Sequence, residues 1–149
     1  MATSTREARA GDAATEVQQR FPPHILREYA LLADGWRGVL CGPRGEVVWM
    51  CTPRWHADAV FSALLGGRGP YVVQPVEPFV RGGHYEPRSL IWRSRWVTTS
   101  GIVECREALR YPGDKDRPVL LRRILAEHDC TVYIELEAHA GFGAHDAVI

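Results

Sequence analysis

The stretch Val47-Val48-Trp49-Met50-Cys51 constrains this chain more than any other. Every residue in it is apolar, so an extended backbone here places large side chains on both of its faces. A strand of that kind has to be central in a sheet and covered on both sides. Trp36 to Cys41 precedes it, and Gly42-Pro43-Arg44-Gly45 lies between, a loop with two glycines and a proline. The spacing predicts a β-hairpin of 36–41 with 46–51.

The rest of the chain repeats this scale of pattern. Tyr71 to Val76 reads as a strand whose Pro75 marks an end or an edge, and Gly82-Gly83 reads as a turn. From Ser89 to Thr98, Leu90, Trp92, Ser94 and Trp96 share one face, and Ile91, Arg93, Arg95 and Val97 the other. Thr99-Ser100-Gly101 turns the chain into a strand over 102–109, and Tyr111 to Arg117 forms a loop. Val119–Glu127 and Thr131–His139 read as a hairpin around His128-Asp129-Cys130. In its second strand Val132, Ile134, Leu136 and Ala138 face inward, and Thr131, Tyr133, Glu135 and Glu137 outward. One short helix is expected over 59–65, capped by Asp58 or His56, with Val60, Phe61, Leu64 and Leu65 as its apolar stripe and Gly66-Gly67 as its stop. His24 to Asp34 reads as a short helical turn or an irregular lead-in. About seven strands separated by turn signals make the chain mainly β, an antiparallel β-sandwich. The boundaries fall at a flexible N-terminal tail over 1–22 (with a loose helix over 7–20), a sandwich over 23–143 and a short tail over 144–149.

Composition narrows the function classes. The 149 residues suit one domain, and 18 basic against 18 acidic side chains give zero formal net charge. With no basic excess or stripe visible along the chain, nucleic acid and anionic membranes are not expected partners. No apolar run approaches the ~20 residues of a membrane helix, and the N-terminus has no apolar signal core, so a cytoplasmic location is expected. Cys41, Cys51, Cys105 and Cys130 include no C-x-x-C pair and are expected as packed thiols rather than cystines or a zinc site.

The residues hold no nucleophile elbow, zinc-protease, phosphate-loop or dinucleotide motif. Glu104 and Glu107 fall on opposite faces of their strand. Glu135 and Glu137 share a face, about 7 Å apart, but on the solvated side. No catalytic pair, metal or cofactor is expected. What remains is the cluster Trp49, Arg54, Trp55, His56 and Asp58. Arginine forks onto carboxylates, and tryptophan faces suit sugar rings or flat apolar surfaces. One reading is a sugar-facing or domain-facing patch. The plainer alternative is an Arg54–Asp58 pair bracing the turn, with both tryptophans in the core.

These residues also carry a resemblance. Tyr29 to Gly35, Gly45 to Trp55 with its W-x-C-x-P-R-aromatic core, and Ala59 to Gly67 resemble the N-terminal β-sandwich of glycoside hydrolase family 15, the glucoamylase, glucodextranase and bacterial trehalase group. Tyr85 to Trp96 and Arg117 to Arg123 look similar to it as well, so the resemblance covers about residues 23–143. Two positions depart from the pattern: Val48 and His56 stand where the family has aspartates. The resemblance implies a non-catalytic module, since the family's sandwich continues further and its two catalytic glutamates lie in a following (α/α)6 barrel. On that footing the chain is an incomplete super-sandwich whose expected partners are such a barrel or a second copy of itself, with an α-glucoside sugar nearby. The alternatives are a stand-alone carbohydrate- or protein-binding sandwich and an inactive truncated fragment.

Overall fold

The computed structural model describes residues 20–146. The expected hairpin is present: β2 (Gly38–Cys41) and β3 (Glu46–Cys51) run antiparallel, with Val39 opposite Met50, Leu40 opposite Trp49 and Cys41 opposite Val47. Val48 is the extra residue of a bulge, which changes the alternation along β3. Val47 and Met50 therefore both reach the core between the sheets, and Val48 turns to the other side. Gly45 closes the loop at φ 85°, and a Cβ there would sit 2.0 Å from the Val73 carbonyl oxygen, so only glycine fits.

β3 is central, as its two-sided apolar pattern predicts. The first sheet runs β1 (Ala30–Ala33), β2, β3, β5 (Tyr71–Pro75), β10 (Val132–Leu136), and β4 (Ala59–Phe61) also pairs with β3. The second sheet is a meander of β6 (Phe79–Tyr85), β7 (Trp92–Thr98), β8 (Ile102–Leu109) and β9 (Leu120–Ala126). A small ribbon of β11 (His139–Ala140) and β12 (His145–Asp146) completes the described residues. The two larger sheets pack face to face, as in a β-sandwich. Leu32, Val39, Cys41, Val47, Met50 and Phe61 of the first sheet meet Leu109 of the second, and Val73 meets Trp96, Val103 and Cys105. Each fully buried valine or leucine contributes about 1.5–3 kcal/mol of transfer free energy. Phe21, Val48, Ala63 and Val72 cover part of the first sheet's outer face. Among the described residues all four cysteines are free thiols, and no helix is long and apolar enough to cross a membrane.

A buried ion pair ties the sheets together. Arg122 on β9 lies 2.6 Å from the Glu107 carboxylate on β8, and it donates to the Gly45 carbonyl of the first sheet at 2.8 Å. The Ser94 hydroxyl donates to the other Glu107 oxygen at 2.8 Å and accepts from the Trp92 indole N–H at 3.0 Å. Burial pushes the Glu107 carboxyl up, and the adjacent guanidinium opposes that shift.

The two ends of the sandwich are finished differently. At one, the Tyr85 hydroxyl from β6 accepts from the Leu31 N–H at 2.6 Å and donates to the Leu31 carbonyl at 3.1 Å, which occupies the outer edge of β1. At the other, β10 has no strand beyond it among the described residues.

Several expectations are corrected. Residues 59–65 do not form a helix: Ala59–Phe61 pairs with β3, and only Ala63–Leu65 makes a 3-10 turn, which Gly66 ends at φ 80°. Apolar residues at 60, 61, 64 and 65 match a helical stripe, yet a two-turn helix cannot hold itself against strand pairing. Nor do Asp58 or His56 cap it. In the lead-in, only Leu26–Glu28 is a 3-10 turn, and Ala30–Ala33 is a strand. Gly82-Gly83 is strand interior, not a turn. The Trp92 indole lies over Gly83, where a Cβ would meet it at 2.3 Å. β9 and β10 do not pair as a hairpin, because the chain crosses between sheets there. The apolar residues of β10 do point toward the sheet interface, on the face of Val73 and Tyr71, but Ile134 and Leu136 remain 59% and 51% exposed. The loose helix expected over 7–20 lies outside the described residues, Arg20 excepted.

Candidate functional site

The loop 52–58 leaves β3, and its base is closed by the Thr52 N–H donating to the Asp58 carbonyl at 3.3 Å. The Trp55 N–H donates to the Trp36 carbonyl at 3.3 Å, which draws the loop tip over the turn between β1 and β2. The Trp55 indole then lies on Gly38, where a Cβ would come within 2.2 Å of the ring and 3.0 Å of the Leu31 side chain. Gly38 is a seat for that ring. Beside it, the Arg54 guanidinium stacks 5.4 Å from the centre of the Trp36 ring, a cation–π contact.

This arrangement differs from the plainer alternative, a turn-bracing pair with both tryptophans in the core. Arg54 is stacked on Trp36, and no Arg54–Asp58 ion pair forms among the described residues. Trp55 is not core but 51% exposed, and Trp36 is 41% exposed. Register places Leu31, Gly38, Leu40 and Trp49 on one face of the first sheet, its outer face. Trp49 is half-buried there with its ring 6.1 Å from that of Phe142, itself exposed. Trp49, Arg54 and Trp55 thus belong to one outer aromatic surface, whereas His56 and Asp58 are exposed on the loop and bring no partner to it. Trp36 was not among the expected residues. Its signal in the sequence is a lone tryptophan beside Gly35, and nothing local announces its pairing with Arg54.

Four strand glutamates lie elsewhere and are engaged. Glu107 is closed in with Arg122, and Glu104 on the opposite face accepts from Arg93 Nε at 3.0 Å. Glu135 is held by Arg20 at 2.7 Å and by the Tyr133 hydroxyl at 2.6 Å. Glu46 is buried, accepts from the Arg44 N–H at 2.8 Å and lies 3.6 Å from His24 Nε2. Burial pushes its carboxyl up to about 7. A cavity of about 200 Å3 near the sandwich edge is lined by Arg27, Glu28, Arg81 and Trp92, and its one carboxylate is already paired with Arg81 at 3.0 Å. An acid and a base flanking one glycosidic bond require two carboxyl groups free in one cleft, about 5–9.5 Å apart. Glu104, Glu107 and Glu135 are each taken up by a cation of the sandwich itself, and no convergent group of three metal-ligating side chains occurs among the described residues. What the surface can do chemically is stack a flat apolar or sugar face and present one guanidinium.

Comparison with known proteins gives a consistent result. The chain is 30% identical to a trehalase of Mycobacterium tuberculosis over 154 aligned positions, and 28% identical to a trehalase of Mycolicibacterium smegmatis over 151. Each alignment takes in 89% of this chain but 22% of the relative, so the chain spans about a fifth of the length of those enzymes. No solved structure matches it significantly. The profile of the trehalase-like N-terminal domain matches residues 17–144, and the chain belongs to that family.

Proposed function

We propose that this chain is the non-catalytic N-terminal sandwich of a family-15-like glycoside hydrolase acting on α-glucosides such as trehalose, and that it braces a catalytic (α/α)6 barrel supplied outside these 149 residues. The observation that carries this reading is the outer aromatic surface. A loop and a glycine seat hold Trp55 half-exposed beside the Arg54–Trp36 stack, while Glu46, Glu104, Glu107 and Glu135 are all engaged in the sandwich's own structure. Such a surface offers contact area and orientation, not proton transfer. Neighbouring domains of one protein meet through interfaces of moderate size and mixed polarity, and a rim arginine beside two tryptophans suits that use. The exposed Trp55 ring also favours a second reading, a stand-alone surface for a sugar.

The test is hydrolysis of trehalose and maltose by the purified chain, alone and with a family-15 barrel added as a separate polypeptide. No turnover alone and turnover on mixing is the expected outcome. Turnover by the isolated chain overturns the proposal and returns attention to Glu104, Glu107, Glu135 and Glu137.

A further inference from the structure

Among the described residues no strand lies beyond β10, whose edge is complementary to itself, and we propose that two copies of this chain pair antiparallel through β10 about a two-fold axis at Ile134. The hydrogen-bond parity of the strand fixes the argument. The Val76 N–H donates to the Thr131 carbonyl at 3.0 Å and the Glu137 N–H donates to the Pro70 carbonyl at 2.9 Å. Residues 131, 133, 135 and 137 therefore turn their backbone groups toward β5, and Val132, Ile134 and Leu136 turn theirs to the free edge. These same three residues carry the apolar face, and they leave Ile134 59% and Leu136 51% exposed.

Centring the pair on Ile134 places Ile134 opposite its copy and Val132 opposite the partner's Leu136. Each of these facing pairs exchanges two hydrogen bonds, because each uses an outward-turned residue on both sides. The apolar ladder is continuous, and on the other face Tyr133 meets the partner's Glu135 and Thr131 the partner's Glu137. No like charges oppose one another. Centring on Glu135 instead would set Glu135 against Glu135, a destabilising pair. Centring on Tyr133 would leave Leu136 unpaired. The strand also lacks what normally blunts an edge: no lysine, proline or inward charge interrupts 132–136. At the opposite edge of the same sheet, the Tyr85 hydroxyl occupies both backbone groups of Leu31, and nothing comparable is bonded to the outward groups of 132, 134 and 136 among the described residues.

The test is the mass of the full chain by analytical ultracentrifugation across a micromolar concentration series, beside the double variant Ile134→Lys/Leu136→Lys. Both side chains are exposed, so the fold, checked by circular dichroism, is kept. The expected result is a dimer for the unmodified chain and an association at least ~100-fold weaker for the variant. A second variant, Ile134→Pro, removes an N–H that faces the free edge and not β5, and it should weaken the dimer as well. A monomer at every concentration overturns the proposal, and so does a dimer that survives both variants. A monomer that dimerises only when residues 1–19 are removed also overturns it, by showing that the chain's own N-terminal segment covers the edge.

Discussion

Glu46 shows how one residue's environment sets a pH dependence for the whole fold. Its carboxyl is almost fully buried under the 42–45 loop, where a Cβ on Gly42 would lie 2.2 Å from its oxygen. Burial raises its pKa to about 7, against hydrogen bonds from its own backbone N–H and that of Arg44 and the charges of Arg44 and Arg81. Below pH ~4.5 the carboxyl is protonated in both folded and unfolded chains. As pH rises toward 7 the unfolded chain ionises while the folded one keeps its proton, so stability falls, by up to about 3 kcal/mol above pH 7. His24, 3.6 Å away, acts in the opposite sense: burial, then Arg81, holds its pKa below the usual value, which lowers stability as pH falls through 6.5 and below. Glu46→Gln keeps an acceptor for Arg44 and removes only the first effect. Urea unfolding at pH 5 and pH 8 should show the variant gaining on the parent chain at the higher pH. An equal difference at both pH values would mean that Glu46 is ionised in the folded chain throughout.

Among the elements, the legible ones were those whose pattern admits a single partner. β3 reads as central because an apolar run on both faces has nowhere else to go, and the Gly42–Gly45 loop sends it back along β2. The alternation in β7 and β8 is equally direct: Ser94, Trp96, Val103, Cys105, Glu107 and Leu109 are all buried, alternating with residues that are not. Residues 59–65 mislead because Val60, Phe61, Leu64 and Leu65 fit a helical stripe, while the hydrogen-bonding partner that wins, the far end of β3, is set by tertiary structure. Gly82-Gly83 misleads for a related reason, since the glycine is needed for the Trp92 ring and not for a turn. The crossing after β9 is invisible locally, because a short loop between two strands fits a hairpin equally well. Edge protection was also unreadable. It rests on Tyr85 reaching a residue 54 positions away. Tyr85→Phe should therefore cost only about 0.5–1.5 kcal/mol, because water can reach the exposed Leu31 groups, yet it opens the β1 edge. The measurement is paired: a small drop in the urea midpoint together with a rise in concentration-dependent light scattering. A stability loss with no change in scattering would show that the hydroxyl braces the sheets and does not guard the edge.

At the scale of the molecule, polar ties and apolar surfaces have separate places. The Arg122–Glu107–Ser94 chain is sealed between the sheets, where it fixes their relative position, and the half-exposed Trp36 and Trp55 lie at the outer face of the first sheet. That separation makes the outer face the part of the sandwich best suited to meet something else, and the sequence named Trp49, Arg54 and Trp55 in it without showing that Trp36 joins them. A sugar surface and a domain surface differ in what Trp55 reports. Its indole has one side on Gly38 and is half open to water, whereas Trp96 is wholly buried and Trp49 and Trp92 are half-buried. A partner domain that covers the patch excludes water from Trp55 and Trp36 together. The tryptophan emission should then shift to shorter wavelength when a family-15 barrel is added, and Trp55→Ala should remove much of that shift and weaken the association by roughly tenfold or more, as expected for a tryptophan at the centre of an interface. Millimolar trehalose or maltose alone should leave the emission unchanged. A saturable response to either sugar that disappears in Trp55→Ala would instead assign the patch to carbohydrate, because the Gly38 seat would then be holding the ring as a sugar platform.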